Sequence, residues 1–338
     1  MKRRSFLKVA GGGIGGFAAG VLPTLMAANT PGIPRRTVGK TGLDLPIIGF
    51  PGLGLIHDEQ AACTALLRAA IEAGINYLDV APAYGKGDCE IKMGIGLEGV
   101  PRDSYVLACK TKMRDAAGCT EELNRSLERL KTDHFDLYQL HCLMKTDEVD
   151  QALGPGGAME AIIKAKEQGK VRHVGFSAHT TVSALAALKQ FKFDTAMFPI
   201  SYVEYFKIGF GKEVMALANE RGAAVLAIKP LAGGAWAPGA ERKRKWWYRP
   251  IDDPTECDLA LRFTLSQPGV IAGIPPAWPD IFKQAIGVAR AYHPITEAET
   301  ARLETMARDQ FSVFEKQQKT ASAHDYGADP FGCEHGTA

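Results

Sequence analysis

Residues 105–141 read YVLACKTKMRDAAGCTEELNRSLERLKTDHFDLYQLH. Two short apolar runs, 105–110 and 135–141, flank a segment in which Leu123, Leu127 and Leu130 recur at helical spacing. That is strand, helix, strand, and two strands joined through a helix pair in parallel. Each apolar run ends on a polar residue, Lys110 in the first and His141 in the second.

The same unit repeats in both directions. Upstream, LPIIGF (45–50) precedes DEQAACTALLRAAIEAG (58–74), with Ala62, Leu66, Ala69 and Ala73 on one helical face, and YLDVA (77–81) precedes CEIKMGIGL (89–97). Downstream, AMEAIIKAKEQG (158–169) completes the fourth unit. VRHVGFS and TVSALAALKQF, DTAMFPI and GKEVMALANERG, AAVLAIKP and TECDLALRFTLSQ, and GVIAGI and DIFKQAIGVARA supply four more. Eight units in one run predict an α/β fold, a (β/α)8 TIM barrel, over residues 33–315. RRTVGKTGLDL (35–45) reads as an N-terminal β-hairpin closing the barrel floor, TEAETARLETMARDQF (296–311) as an extra C-terminal helix, and 316–338 as a polar, aperiodic tail.

The chain begins MKRRSFLK and continues into a glycine-rich apolar stretch. Adjacent Arg3 and Arg4 before Phe-Leu-Lys read as a twin-arginine signal over residues 1–28, the route that carries folded proteins across a membrane. The expected destination is the periplasm, with the twin-arginine export machinery as a partner and a membrane anchor if the signal is retained. Net charge is +2 over 338 residues; Lys2, Arg3, Arg4 and Lys8 are the only charges in the first 28, so the remainder carries −2. That balance argues against a nucleic-acid partner. Seven cysteines without a CxxC pair do not form a disulfide framework. G-x-G-x-x-G occurs at Gly11, Gly13 and Gly16 and again at Gly94, Gly96 and Gly99. Neither stands between a strand and a helix, so neither reads as a Rossmann fingerprint.

Chemistry in such barrels sits where strands end. The second strand ends on Asp79, with Tyr84 five residues on; the third ends on Lys110 and the fourth on His141. A carbonyl that accepts a hydride needs a proton, which a phenol can give. A nearby ammonium is expected to pull the phenol pKa down from about 10. A buried lysine needs a carboxylate partner, and Asp79 suits; a neutral imidazole at His141 can polarise the carbonyl oxygen. Each of the four has an ordinary structural role open to it, and their convergence on three successive strands is what favours chemistry. A hydrolase would want a metal cluster or paired carboxylates at these strand ends, and the sequence shows neither.

YLDVAPAYGKGDCEIKMG, VLACKT, DLYQLHCL and VRHVGFSAH resemble the aldo-keto reductase family, and the resemblance spans roughly residues 33–315. It implies NAD(P)H-dependent reduction of an aldehyde or ketone, or oxidation of the alcohol, with Asp79, Tyr84, Lys110 and His141 as the catalytic residues, a small carbonyl or alcohol substrate, and NADP or NAD as cofactor. The implied cofactor site is Ser177, Met197, Lys229, Leu231, Gly233 and Gly273. It departs from the family pattern: Ala178 stands where Asn is common, Met197 where Gln is common, and Ile228 where an aromatic ring often stacks on the nicotinamide. The glycines after Lys229 read equally as a phosphate-approaching loop or a structural one. After the eighth strand, GIPPAWPDIFKQAI offers a cation only at Lys283, with Trp278 able to stack on adenine and Asp280 opposing a phosphate.

Two long loops are expected to wall the substrate pocket. One follows His141; the other, AGGAWAPGAERKRKWWYRPIDD, carries Trp236, Trp246 and Trp247 among basic residues. The departures at the cofactor site keep open a second reading, a nucleotide-binding redox sensor or partner subunit with little turnover.

Overall fold

Apolar runs that are hydrophobic on both faces must be covered on both, and here they form the wall of a barrel under a layer of helices. The computed structural model describes residues 32–321, apart from Lys245 and Ala277. A hairpin comes first, β1 (Arg35–Thr37) antiparallel to β2 (Asp44–Pro46). Eight parallel strands follow: β3 (Phe50–Pro51), β4 (Tyr77–Asp79), β5 (Val106–Thr111), β6 (Phe135–Leu143), β7 (Val171–Ala178), β8 (Thr195–Pro199), β9 (Ala224–Ile228) and β10 (Val270–Ile274). They pair in chain order. The seam between last and first is made at Gly273, whose N–H donates to Ile47 O and whose carbonyl accepts from Gly49 N–H, both at 2.9 Å, with a bridge from Ile48. The predicted (β/α)8 barrel is therefore the observed architecture.

The first strand differs from its expectation. The run 45–50 is divided: its start pairs with β1 in the hairpin, leaving a two-residue β3 on the barrel. Gly52, just beyond, cannot carry a side chain, since a Cβ there would stand 2.3 Å from Asp79 O. Two helices were not anticipated, Thr146–Leu153 and Tyr202–Ile208, both on loops at the strands' C-terminal ends. The expected aperiodic tail begins instead as a helix, Glu315–Ala321, anchored by buried Phe314 and Gln317. The rest of the tail, and the signal segment 1–28, lie outside the described residues. Among the described residues no helix is long and apolar enough to cross a membrane.

Helix starts follow local chemistry. The Asp115 carboxylate accepts from Gly118 N–H at the head of helix Ala116–Leu130, and Thr180 and Ser201 do the same for Thr181–Gln190 and Tyr202–Ile208.

Candidate active site

Asp79 and Lys110 come from adjacent strands in fixed register, Asp79 opposite Ala108 and Lys110 opposite Gln139. Lys110 Nζ lies 2.5 Å from Asp79 Oδ1 and 3.2 Å from the Tyr84 phenol oxygen, and also donates to Val80 O. Both charged groups are buried, with side-chain exposures of 1% and 3%. Burial alone would lower the Lys110 pKa, but the Asp79 carboxylate and the Tyr84 oxygen outweigh it and hold the ammonium above the ordinary lysine value. Burial raises the Asp79 carboxyl, with Lys110 opposing.

Tyr84 is held by an unusual turn. Gly85, Lys86 and Gly87 follow it at φ 58°, 55° and 96°. Gly87 suits its left-handed backbone, and a Cβ there would sit 2.1 Å from an Arg129 guanidinium nitrogen, so that side chain would have to shift. The Arg129 guanidinium is in turn paired with buried Glu90 at 3.0 Å. The expectation that Lys110 would bring the phenol pKa down is corrected here. Burial is the larger effect and Asp79 adds to it, so Tyr84 is pushed up to about 12 despite the ammonium. At neutral pH it is a protonated phenol, an acid and not a phenolate.

His141 meets Tyr84 edge to face, ring centroids 5.7 Å apart at 84°. It is brought there by a register irregularity in β6 between Leu140 and Leu143, with Cys142 at φ 56°. All four residues line one cleft, together with Ser177, His179, Met197, Lys229, Trp246, Trp247 and Tyr248, and with Pro275 and Pro276 beyond β10. The cleft is open at its rim and lined mainly by apolar and aromatic side chains around a few polar groups, the composition expected of a small-molecule site.

The other sequence candidates divide. Ser177 is in the cleft, and its Oγ accepts from Cys142 N–H at 2.8 Å, pinning the β6 irregularity. Met197 and Lys229 also reach the lining, whereas Leu231 is fully buried in the core. Gly233 makes room for Arg249: a Cβ would meet that guanidinium at 2.2 Å, and Arg249 is paired with Glu256 at 2.9 Å. Gly273 closes the barrel seam. Trp236 stands behind the lining and donates from Nε1 to Trp246 O at 2.7 Å, holding the loop that presents Trp246 and Trp247.

Two features were not legible beforehand. His179, the last residue of the quoted VRHVGFSAH, bridges Cys142 Sγ at 3.2 Å and Lys229 Nζ at 3.1 Å. At the rim, three loops meet in an aromatic cluster. Trp278 stacks on His57 (5.2 Å, 16°), meets Trp246 edge-on (5.0 Å), and carries the Arg244 guanidinium 5.3 Å above its ring. Arg244 also pairs with Asp280. A cation thus does reach the stretch after β10, from a loop far away in sequence.

The model for the aldo/keto reductase family matches residues 49–246, more than half of the chain. Among curated proteins, the chain is similar to L-galactose dehydrogenase of Arabidopsis thaliana, 28% identical over 60% of this chain and 66% of that protein. It is also similar to the uncharacterized oxidoreductase YqkF of Bacillus subtilis, 33% identical over 42% of this chain and 48% of that one. The alignments therefore span about half to two thirds of these relatives. Among solved structures, an aldo-keto reductase from Bacillus halodurans in its holo form superposes with a TM-score of 0.68 at 25% identity, over 85% of this chain and 99% of that one. With the Asp79–Lys110–Tyr84–His141 constellation assembled at the C-terminal mouth of an eight-stranded barrel, sequence and structure point the same way, and the chain belongs to the aldo/keto reductase family.

Proposed function

We propose that the chain is an oxidoreductase that reduces an aldehyde or ketone to its alcohol with NAD(P)H, and runs the reverse reaction through the same groups. One observation carries this reading: a buried Lys110–Asp79 pair stands 3.2 Å from the oxygen of a protonated Tyr84 phenol, in a cleft shared with His141. A nicotinamide fits the donor set. Ser177 uses its oxygen as acceptor and keeps its hydroxyl proton to donate to a carboxamide, while Met197 and Ile228 offer apolar surface to a flat ring. The reduced nicotinamide, when bound, supplies the hydride. Tyr84 gives its proton to the carbonyl oxygen, His141 hydrogen-bonds the same oxygen, and the Lys110 ammonium stabilises the phenolate left behind. Asp79 keeps Lys110 charged. The test is oxidation of NADPH and NADH by a panel of aldehydes, ketones and quinones. Tight cofactor binding with no turnover on any of them would favour the sensor reading, which the missing amides at Ala178 and Met197 support.

Cofactor choice follows from charge. Arg244 reaches the stretch after β10 but is paired with Asp280, so an adenosine 2′-phosphate would have to compete with a carboxylate for it. The expected preference between NADPH and NADH is within about tenfold, or about 1.4 kcal/mol. Binding titrations at fixed ionic strength decide it; a hundredfold advantage for NADPH would refute it and point to Arg244 and Lys283.

The export reading is also a proposal. Arg3 and Arg4 stand before an apolar stretch, and a folded-protein route lets a reductase take up its nucleotide in the cytoplasm before it leaves. Replacing both arginines with lysine is expected to keep the protein in the cytoplasm. Unchanged periplasmic recovery of that variant in cell fractionation counts against export by this route.

A further inference from the structure

Lys229 follows β9 with its backbone in the left-handed region, φ 60°, where a residue with a long side chain is uncommon. Its side chain reaches the cleft. Nζ lies 3.1 Å from His179 Nε2, 5.3 Å from the ring centre of Trp247 and 5.9 Å from that of Phe314. Among the described residues no carboxylate stands within ion-pair distance of it, and the charge it feels is another cation, Lys110. Lys110 is already matched by Asp79. Burial first, and Lys110 second, push the Lys229 ammonium down to about 7. Ring faces attract a cation but supply only part of what a carboxylate would.

His179 is arranged to serve this group. With Nδ1–H directed at Cys142 Sγ, its Nε2 lone pair accepts from the Lys229 ammonium. A buried ammonium turned toward a cleft, with no carboxylate among the described residues in ion-pair reach, is a group that an anion would match.

We propose that Lys229, positioned by His179, recognises a carboxylate on the substrate, so that this cleft takes carbonyl compounds bearing an acid group, with a flat body against Trp246 and Trp247. This rests on the reading of the cleft as the substrate site. The nucleotide's diphosphate is a second source of negative charge. The substrate is favoured because Lys229 shares its lining with Tyr84 and His141 and is close enough to Lys110 to feel its charge.

The test is calorimetric titration of benzoate, and of its neutral counterpart benzamide, into the full-length protein at mildly acid pH and low salt. Benzoate is expected to bind at least about tenfold more tightly. Lys229→Met should bring the ratio below about twofold, and Lys229→Arg should keep most of the preference. If the methionine variant fails to fold, Lys229→Gln, which retains a donor to His179, takes its place. No benzoate preference in the wild-type protein overturns the proposal. So does a parallel loss of NADPH affinity in the Lys229→Met variant, which would assign the ammonium to the diphosphate. Because these titrations need no turnover, a failure of the reductase reading shows separately, as absence of carbonyl reduction by a protein that still prefers benzoate.

Discussion

Replacing Tyr84 with phenylalanine is expected to lower kcat for carbonyl reduction by about a hundredfold or more, with the reduced cofactor still bound. The ring is 9% exposed and packs edge-on with His141, so phenylalanine keeps the packing and removes only the hydroxyl. The Lys110 ammonium donates to the phenol oxygen, which directs the phenol's own proton away from Lys110. Because burial lifts this phenol to about 12, it stays protonated through the neutral range. Reduction, which consumes the protonated form, should therefore be level through neutrality and fall only in strongly alkaline solution. Alcohol oxidation needs the phenolate and should rise with pH across the same range. Steady-state rates in both directions, for both proteins, check this. Full activity in Tyr84→Phe would remove Tyr84 as the acid.

Period and order made the barrel legible. Leu123, Leu127 and Leu130 mark a helix by spacing alone, and β6 is buried at every position, as a two-faced apolar run requires. The first strand was misjudged because Leu45 and Pro46 are as apolar as a barrel strand demands, and only the pairing of Arg35–Thr37 shows that they belong to the hairpin. The helices Thr146–Leu153 and Tyr202–Ile208 are eight and seven residues long, too short for periodicity to speak.

The four residues at the mouth were legible because each ends, or closely follows, a strand, which is a local property. What was missed depends on residues far apart in sequence. Arg244 and Asp280 meet across 36 positions, and Lys229 and His179 across 50. The direction of the Tyr84 shift was misread for a related reason. Lys110 can be inferred from strand ends, but the degree of burial that outweighs it comes from the whole barrel.

Replacing Lys110 with methionine is expected to cost stability as well as activity, about 3–5 kcal/mol at neutral pH, since it leaves the buried Asp79 carboxylate without its counter-charge. The dependence on pH has a definite sign. Burial already raises the Asp79 carboxyl and Lys110 opposes that rise, so removing Lys110 lifts it further. A carboxyl whose pKa is higher folded than unfolded takes up a proton on folding. Measured against the wild type, the variant's shortfall should thus be smallest in acid, grow as pH rises past the folded wild-type value of Asp79, itself above the ordinary carboxyl value of about 4, and level off once Asp79 is ionised in both folded proteins. Adding Asp79→Asn removes the orphaned charge, and the double variant should regain at least about half of the loss, since a neutral pair replaces an ionic one at modest cost. Urea unfolding of the wild type and of the single and double variants at several pH values measures this. A shortfall that is independent of pH and equal in single and double variants would mean that lost packing around the lysine chain, and not the unpaired charge, sets the cost. The ion pair would then serve to hold Tyr84's phenolate during the reaction and contribute little to holding the barrel together.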